Sequence, residues 1–101
     1  MSVGTVQPFQ PAYTLAISAA VTPVAKTLNQ GGTSVLITNG ASDYAFVRLG
    51  VAGVVATSSD IPVPAGGRLL LHAPETVSAV SIMLNSGTGT VFVSRGSGTA
   101  Y

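Results

Sequence analysis

The chain has 101 residues, of which 47% are hydrophobic and only 7% are charged, and its formal net charge is +1. An ordinary soluble domain contains about 25% charged residues, so little charge is present here to keep two protein surfaces apart. We therefore expect much of the surface to be buried against other protein chains. The length fits a single domain. The four basic residues are scattered, which excludes the positive stripe that nucleic-acid binding requires.

Cysteine is absent, which excludes a disulfide framework and thiolate zinc sites. No stretch approaches the ~20 consecutive apolar residues of a membrane-spanning helix. No basic residue precedes Lys26, as the start of a signal peptide would require. We therefore expect a soluble chain that is made in the cytoplasm and has no membrane partner.

The first twelve residues lack a clear periodicity and contain Pro8 and Pro11, each of which removes a backbone donor. The pattern predicts an extended N-terminal arm over residues 1–12, followed by one domain over residues 13–101. Docking of the arm on a neighbouring subunit and plain disorder are both open at this point. The apolar side chains that favour docking are those of Val3, Val6 and Phe9.

The domain begins with a regular alternation of apolar and polar residues, which is typical of a half-buried strand. Apolar side chains occupy every second position from Tyr13 to Val21, so we expect Leu15 and Ile17 to lie in the core. Further short strands are predicted over residues 24–28, 33–38, 44–49, 53–57, 68–72, 76–84 and 90–94.

Turn residues separate the predicted strands. Asn39-Gly40 between two apolar runs predicts a hairpin, and the segment 85–89 predicts a second hairpin near the end of the chain. Pro62 and Pro64 favour an extended link over a strand. About eight short strands with a turn signal roughly every ten residues predict an all-β antiparallel sandwich or jelly roll.

Several predicted strands are apolar on both faces. Tyr44 and Phe46, for example, alternate with Ala45, Val47 and Leu49. Because a two-layer sandwich covers one face of each sheet, the second apolar face is shared, covered by loops or used as an interface. The candidate interface residues of this strand are Tyr44, Phe46 and Arg48.

Groups suited to catalysis are scarce. The chain has one histidine, His72, and three acidic residues. Nucleophilic catalysis needs a base and an orienting group within reach of the nucleophile. Only the tertiary fold could bring His72 to Asp60 or Glu75, and a surface histidine at a strand end is the simpler expectation. We predict no enzyme activity, no catalytic residue, no metal site and no cofactor.

The central and C-terminal runs of the sequence resemble a known family. Over residues 33–98 the chain is similar to the small head decoration (cement) proteins of tailed bacteriophages. The resemblance is a pattern of strands and turns without a catalytic signature. It is carried by Val35–Asn39, Ala45–Gly50, Ala56–Gly67, Val77–Leu84 and Val91–Gly98.

This resemblance implies a jelly-roll structural protein on the outside of a virion. It also implies two partners, the major capsid protein and further copies of the same chain in a dimer or trimer. Two other classes of function are open: a tail, baseplate or fibre structural protein, and a small carbohydrate-binding β-sandwich. The absence of Trp counts against the carbohydrate-binding class, because sugar sites commonly use aromatic platforms.

Overall fold

The computed structural model describes residues 8–28, 31–74 and 76–98. In these ranges the secondary structure consists of strands, turns and bends, and no helix is present that could cross a membrane. The strands are β1 (Gln10–Ala20), β2 (Val24–Thr27), β3 (Ser34–Asn39), β4 (Ala45–Gly50), β5 (Ile61–Val63), β6 (Arg68–His72), β7 (Ala79–Leu84) and β8 (Thr88–Ser97).

The eight strands form two antiparallel sheets of four strands. The first sheet has the order β1-β8-β3-β6, and the second sheet has the order β2-β7-β4-β5. In four of the pairings the strand numbers add up to nine: β1 with β8, β2 with β7, β3 with β6, and β4 with β5. This order arises when the chain forms one long antiparallel hairpin that is then rolled up. Rolling brings β8 beside β3 and β7 beside β4. The fold is therefore the predicted all-β jelly roll.

The core lies between the two sheets. β-branched side chains dominate it, because they pack well on a pleated surface that is buried on one side. Ile17 is fully buried, as predicted, whereas Leu15 only packs against the margin of the core. Other fully buried members are Val35, Ile37, Val47, Val80, Ile82, Leu84, Val91 and Val93.

Both predicted hairpins are wrong. β3 and β4 lie in different sheets, and so do β7 and β8, so their connections arch from one sheet to the other. Turn residues specify that the chain reverses, but they do not specify which strand it then bonds. The buried side chain of Asn39 holds the first arch, because its amide donates to the carbonyls of Asp43 and Val63 and its oxygen accepts from the Ala41 N–H.

The strand predicted over residues 53–57 does not form, and β5 forms where an extended link was predicted. The Ala56 N–H bonds to the Ser81 hydroxyl, so it is not part of a strand ladder. Pro62 argues against a strand, but β5 lies at the edge of its sheet, where a missing N–H removes no ladder bond.

β1 begins at Gln10, so residues 10–12, which the sequence assigned to the arm, belong to the first sheet. Pro11 is tolerated because β1 is an edge strand, and its pairing with β8 shifts register between Pro11 and Tyr13. Gly96 makes this pairing possible, because a Cβ at that position would collide with the backbone at Gln10 and Pro11.

Candidate functional site

No pocket occurs in the part of the chain that the structure describes, and no group of three His, Asp or Glu side chains there could hold a metal. His72 is exposed at the end of β6 in the first sheet. Asp60 bonds to Arg48 of the second sheet. Glu75 lies outside the described residues. The candidate site therefore has to be sought on the outer surfaces of the two sheets.

The outer surface of the first sheet is named the β8 face. Phe92 lies at its centre with 40% of its surface exposed. Its direct neighbours on the adjoining strands are Ala16 and Thr38. Two positions along β3 and β6, Leu36 and Leu70 lie opposite each other and are partly buried. Arg68, on the edge strand β6, is the one charged residue among the described strand residues that point outward here. His72, at the end of β6, also points outward. Further outward side chains are small or hydroxylated: Thr14, Ala16, Ser18, Ser34, Thr38, Thr90 and Ser94.

The outer surface of the second sheet is named the β4 face. Phe46 lies opposite Pro62 on one side and Met83 on the other, which gives an apolar row across three strands. Tyr44, with 48% of its surface exposed, and Arg48 lie at the same side of β4 as Phe46. The structure thus brings the predicted residues Tyr44, Phe46 and Arg48 together on one face.

Arg48 is held within its own subunit. Its Nε donates to Asp60 Oδ1 at 2.9 Å, while Asp60 Oδ2 accepts from the backbone N–H of Thr57 at 2.7 Å. The Thr57 N–H lowers the pKa of Asp60 most, and Arg48 adds to this lowering against the opposing effect of burial. This ion pair fixes the loop over residues 51–60 beside β4.

The same loop displays apolar side chains that the sequence analysis did not single out. Val51 and Val55 are among the most exposed large hydrophobic residues of the described chain. The loop is held in place by the bond from the Val54 N–H to the Val51 carbonyl and by the bond from Ala56 to Ser81. Its valines are therefore presented from a fixed backbone at one border of the β4 face.

A polar cluster surrounds the base of Tyr44. The carboxylate of Asp43 accepts hydrogen bonds from the Ser86 hydroxyl, the Asn85 side-chain amide and the Tyr44 N–H. The Ser86 bond is the largest cause of the lowered pKa of Asp43, followed by the Tyr44 N–H and the Asn85 amide. These groups bond to one another, so they serve to tie the β3–β4 and β7–β8 arches together.

Arg95 is a residue whose role the sequence did not reveal. It points into the sandwich from β8 and is fully buried. Its guanidinium donates to four backbone carbonyls, at distances between 2.6 and 3.3 Å. Arg95 therefore anchors two connecting segments to the core. The carbonyls belong to Gly32, Ala73, Pro74 and Val77.

Two other differences concern the predicted interface. Phe9 is half-buried beside Gly98, at the opposite end of the sandwich from Tyr44, while Val3 and Val6 lie outside the described residues. Phe92 was missed, although its position between Val91 and Val93 marks it as the outward member of an alternating strand.

No protein-family model matches the chain, and no curated protein or solved structure is significantly similar to it. The features that bear on function are therefore the geometry of the β8 face and the β4 face and the resemblance of the sequence pattern.

Proposed function

We propose that the chain is a structural virion protein that binds the outside of a bacteriophage capsid as an oligomer and stabilises the shell. The observation that carries this proposal is the pair of low-charge outer faces, each of which carries a phenylalanine and further apolar side chains. The core of a protein–protein interface is depleted in charged residues and enriched in aromatic residues and Met. Phe92 on the β8 face, and Phe46 with Met83 on the β4 face, fit this composition.

The position of the two faces also supports the proposal. They lie on opposite sides of one sandwich, so a single domain can contact two neighbours at once. A protein that clamps adjoining capsid subunits needs two such surfaces. A carbohydrate-binding module needs one concave site with convergent polar groups, and none occurs among the described residues. The polar groups beside Tyr44 already bond to each other.

The first experiment is a count of this chain in purified virions, relative to the major capsid protein, by quantitative mass spectrometry. Shell decoration requires a copy number in the hundreds, comparable with that of the capsid protein. A few to a few dozen copies per particle would assign the chain to the tail, baseplate or fibre. Its absence from the particles would overturn the proposal.

The second experiment tests the faces. We expect Phe92→Ser and Phe46→Ser each to weaken binding to shells stripped of this protein by at least tenfold, since buried aromatic residues dominate interface energetics. Val21→Ser is the matched control, because Val21 is 52% exposed but follows the end of β1, outside both faces. Co-sedimentation of shell and protein gives the affinities. Full-affinity binding by both Phe variants would show that neither face contacts the shell.

A further inference from the structure

The four edge strands of the sandwich differ in how they are protected. An exposed edge offers unpaired N–H and C=O groups to another chain, and proteins block it with short strands, charged residues, Pro or bulges. β2 has four residues and carries Lys26, β5 has three residues and contains Pro62, and β6 carries Arg68. These three edges therefore have recognised protective features.

β1 is the exception. It is the longest strand, with 11 residues, and it forms an edge of the first sheet. Pro11 and the register shift between Pro11 and Tyr13 disrupt only its beginning. Residues 14–20 contain no charge and no Pro. Among the described residues, their backbone pairs with β8 alone, so about half of their N–H and C=O groups face away from the sheet.

We propose that β1 pairs antiparallel with β1 of a second copy of this chain, which joins the two first sheets into one continuous sheet of eight strands. The occupant is a second copy because residues 14–20 are complementary to themselves. A two-fold axis brings each residue of such a strand near its own counterpart, and an uncharged strand avoids the repulsion between like charges that this causes.

The burial pattern of β1 also selects a register. Full overlap of residues 14–20 with their counterparts places Ile17 opposite Ile17 and Ala16 opposite Ser18. The core side of one strand then continues the core side of the other, since Ile17 and Ala19 point inward while Ala16 and Ser18 are exposed. The partly buried Leu15 gains a neighbour in Ala19 of the second copy.

This pairing names the contact that would form the oligomer of the proposed function, but it is a property of the isolated chain and needs no shell. A failure to bind capsids would not contradict the β1 pairing. A monomeric protein would contradict the pairing but not shell binding itself. We expect sedimentation equilibrium to give a mass of twice 10.0 kDa, which is about 20 kDa, at high micromolar concentration. A wild-type protein that stays monomeric there would overturn the proposal.

The double variant Ala16→Lys/Ser18→Lys should raise the dimer dissociation constant at least tenfold, because charge on the edge repels its counterpart. Ala25→Lys/Thr27→Lys is the matched control, since it places two lysines at the same spacing on exposed positions of the edge strand β2. The control should keep the wild-type dissociation constant. A dimer that persists unchanged in the β1 variant would place the interface elsewhere.

Cross-linking tests the register independently of affinity. The chain has no cysteine, so introduced thiols are unique. Directly opposed residues of an antiparallel pair have Cα atoms about 4.5–5.5 Å apart, which lies within the range that a disulfide can bridge. An oxidised mixture of Ala16→Cys and Ser18→Cys chains should give a disulfide-linked heterodimer, while mixing Ala16→Cys with the β2 variant Ala25→Cys should not. Equal yields from the two mixtures would refute the register.

Discussion

Arg95 shows how one side chain can organise several connections. A buried cation is costly unless its hydrogen-bonding capacity is used, and Arg95 uses it on four backbone carbonyls. Those carbonyls lie between 18 and 63 positions away along the chain. No local pattern could therefore have predicted this role. The sequence shows only that Arg95 continues the every-second-residue pattern of Val91 and Val93, which are the inward positions of β8.

We predict that Arg95→Met lowers the free energy of unfolding by about 3–5 kcal/mol, because it leaves buried carbonyls without donors while keeping most of the side-chain volume. Arg95→Lys should recover only part of this loss, since an ammonium group lacks the planar fork of a guanidinium. Urea unfolding followed by circular dichroism measures both. Lys26→Met, an exposed substitution on β2, is the control and should change stability by less than about 0.5 kcal/mol. Wild-type stability in Arg95→Met would contradict this account.

At the scale of the element, β1 is buried unevenly along its inward side. Ile17 is fully buried, whereas Leu15 lies at the margin of the core. We predict that Ile17→Ala costs about 2–5 kcal/mol, the usual range for a large-to-small change in a core. Leu15→Ala should cost less than Ile17→Ala, because part of the Leu15 side chain already contacts water.

Urea unfolding at dilute protein concentration measures both costs, since dimer formation would add stability by mass action. A larger loss for Leu15→Ala than for Ile17→Ala at that concentration would show that the interior of the sandwich is arranged differently. Ser18→Ala, an exposed substitution on the same strand, provides the baseline.

The strands themselves were largely predictable, because alternation reports a half-buried strand directly. β6 was predicted over its full length, and β3 to within one residue at each end. Strand pairing was not predictable, because the arch at Asn39 depends on a bond to Val63, 24 residues away. β5 was missed because Pro62 is tolerated in an edge strand but not in a central strand. Whether β5 is central or at an edge depends on the strand order of the sheet, which the local sequence does not contain.

At the scale of the whole molecule, the sequence predicted outer faces that retain apolar residues. The basis was the low charge content and the strands that are apolar on both faces. Phe46 and Met83 on one side, and Leu36 and Leu70 on the other, are partly buried outward residues of this kind. Which strands share a face could not be predicted without the sheet order. That Phe92 and Leu36 lie on the same outer face is therefore evident only from the fold.

The predicted arm gives the last test of this functional proposal. Because β1 begins at Gln10 and the Pro8–Phe9 backbone lies against Gly98, the informative deletion is residues 1–7. A deletion that extends into β1 would also remove sheet pairing and confuse stability with binding. Val3 and Val6 would each gain about 1.5–3 kcal/mol from full burial, but ordering an extended segment costs ~1–2 kcal/mol per residue. We therefore expect an ordered arm to need contact with a second surface.

We predict that removing residues 1–7 leaves the thermal midpoint of the isolated protein nearly unchanged and weakens shell binding at least tenfold. Val3→Ser/Val6→Ser keeps the length of the arm but removes its apolar side chains, so it should reproduce most of the loss if those side chains are buried on the shell. Calorimetry measures the midpoint, and co-sedimentation with stripped shells measures binding. Full-affinity binding by the truncated protein would show that the arm makes no contact with the shell, and the β8 face and the β4 face would then have to provide the whole interface.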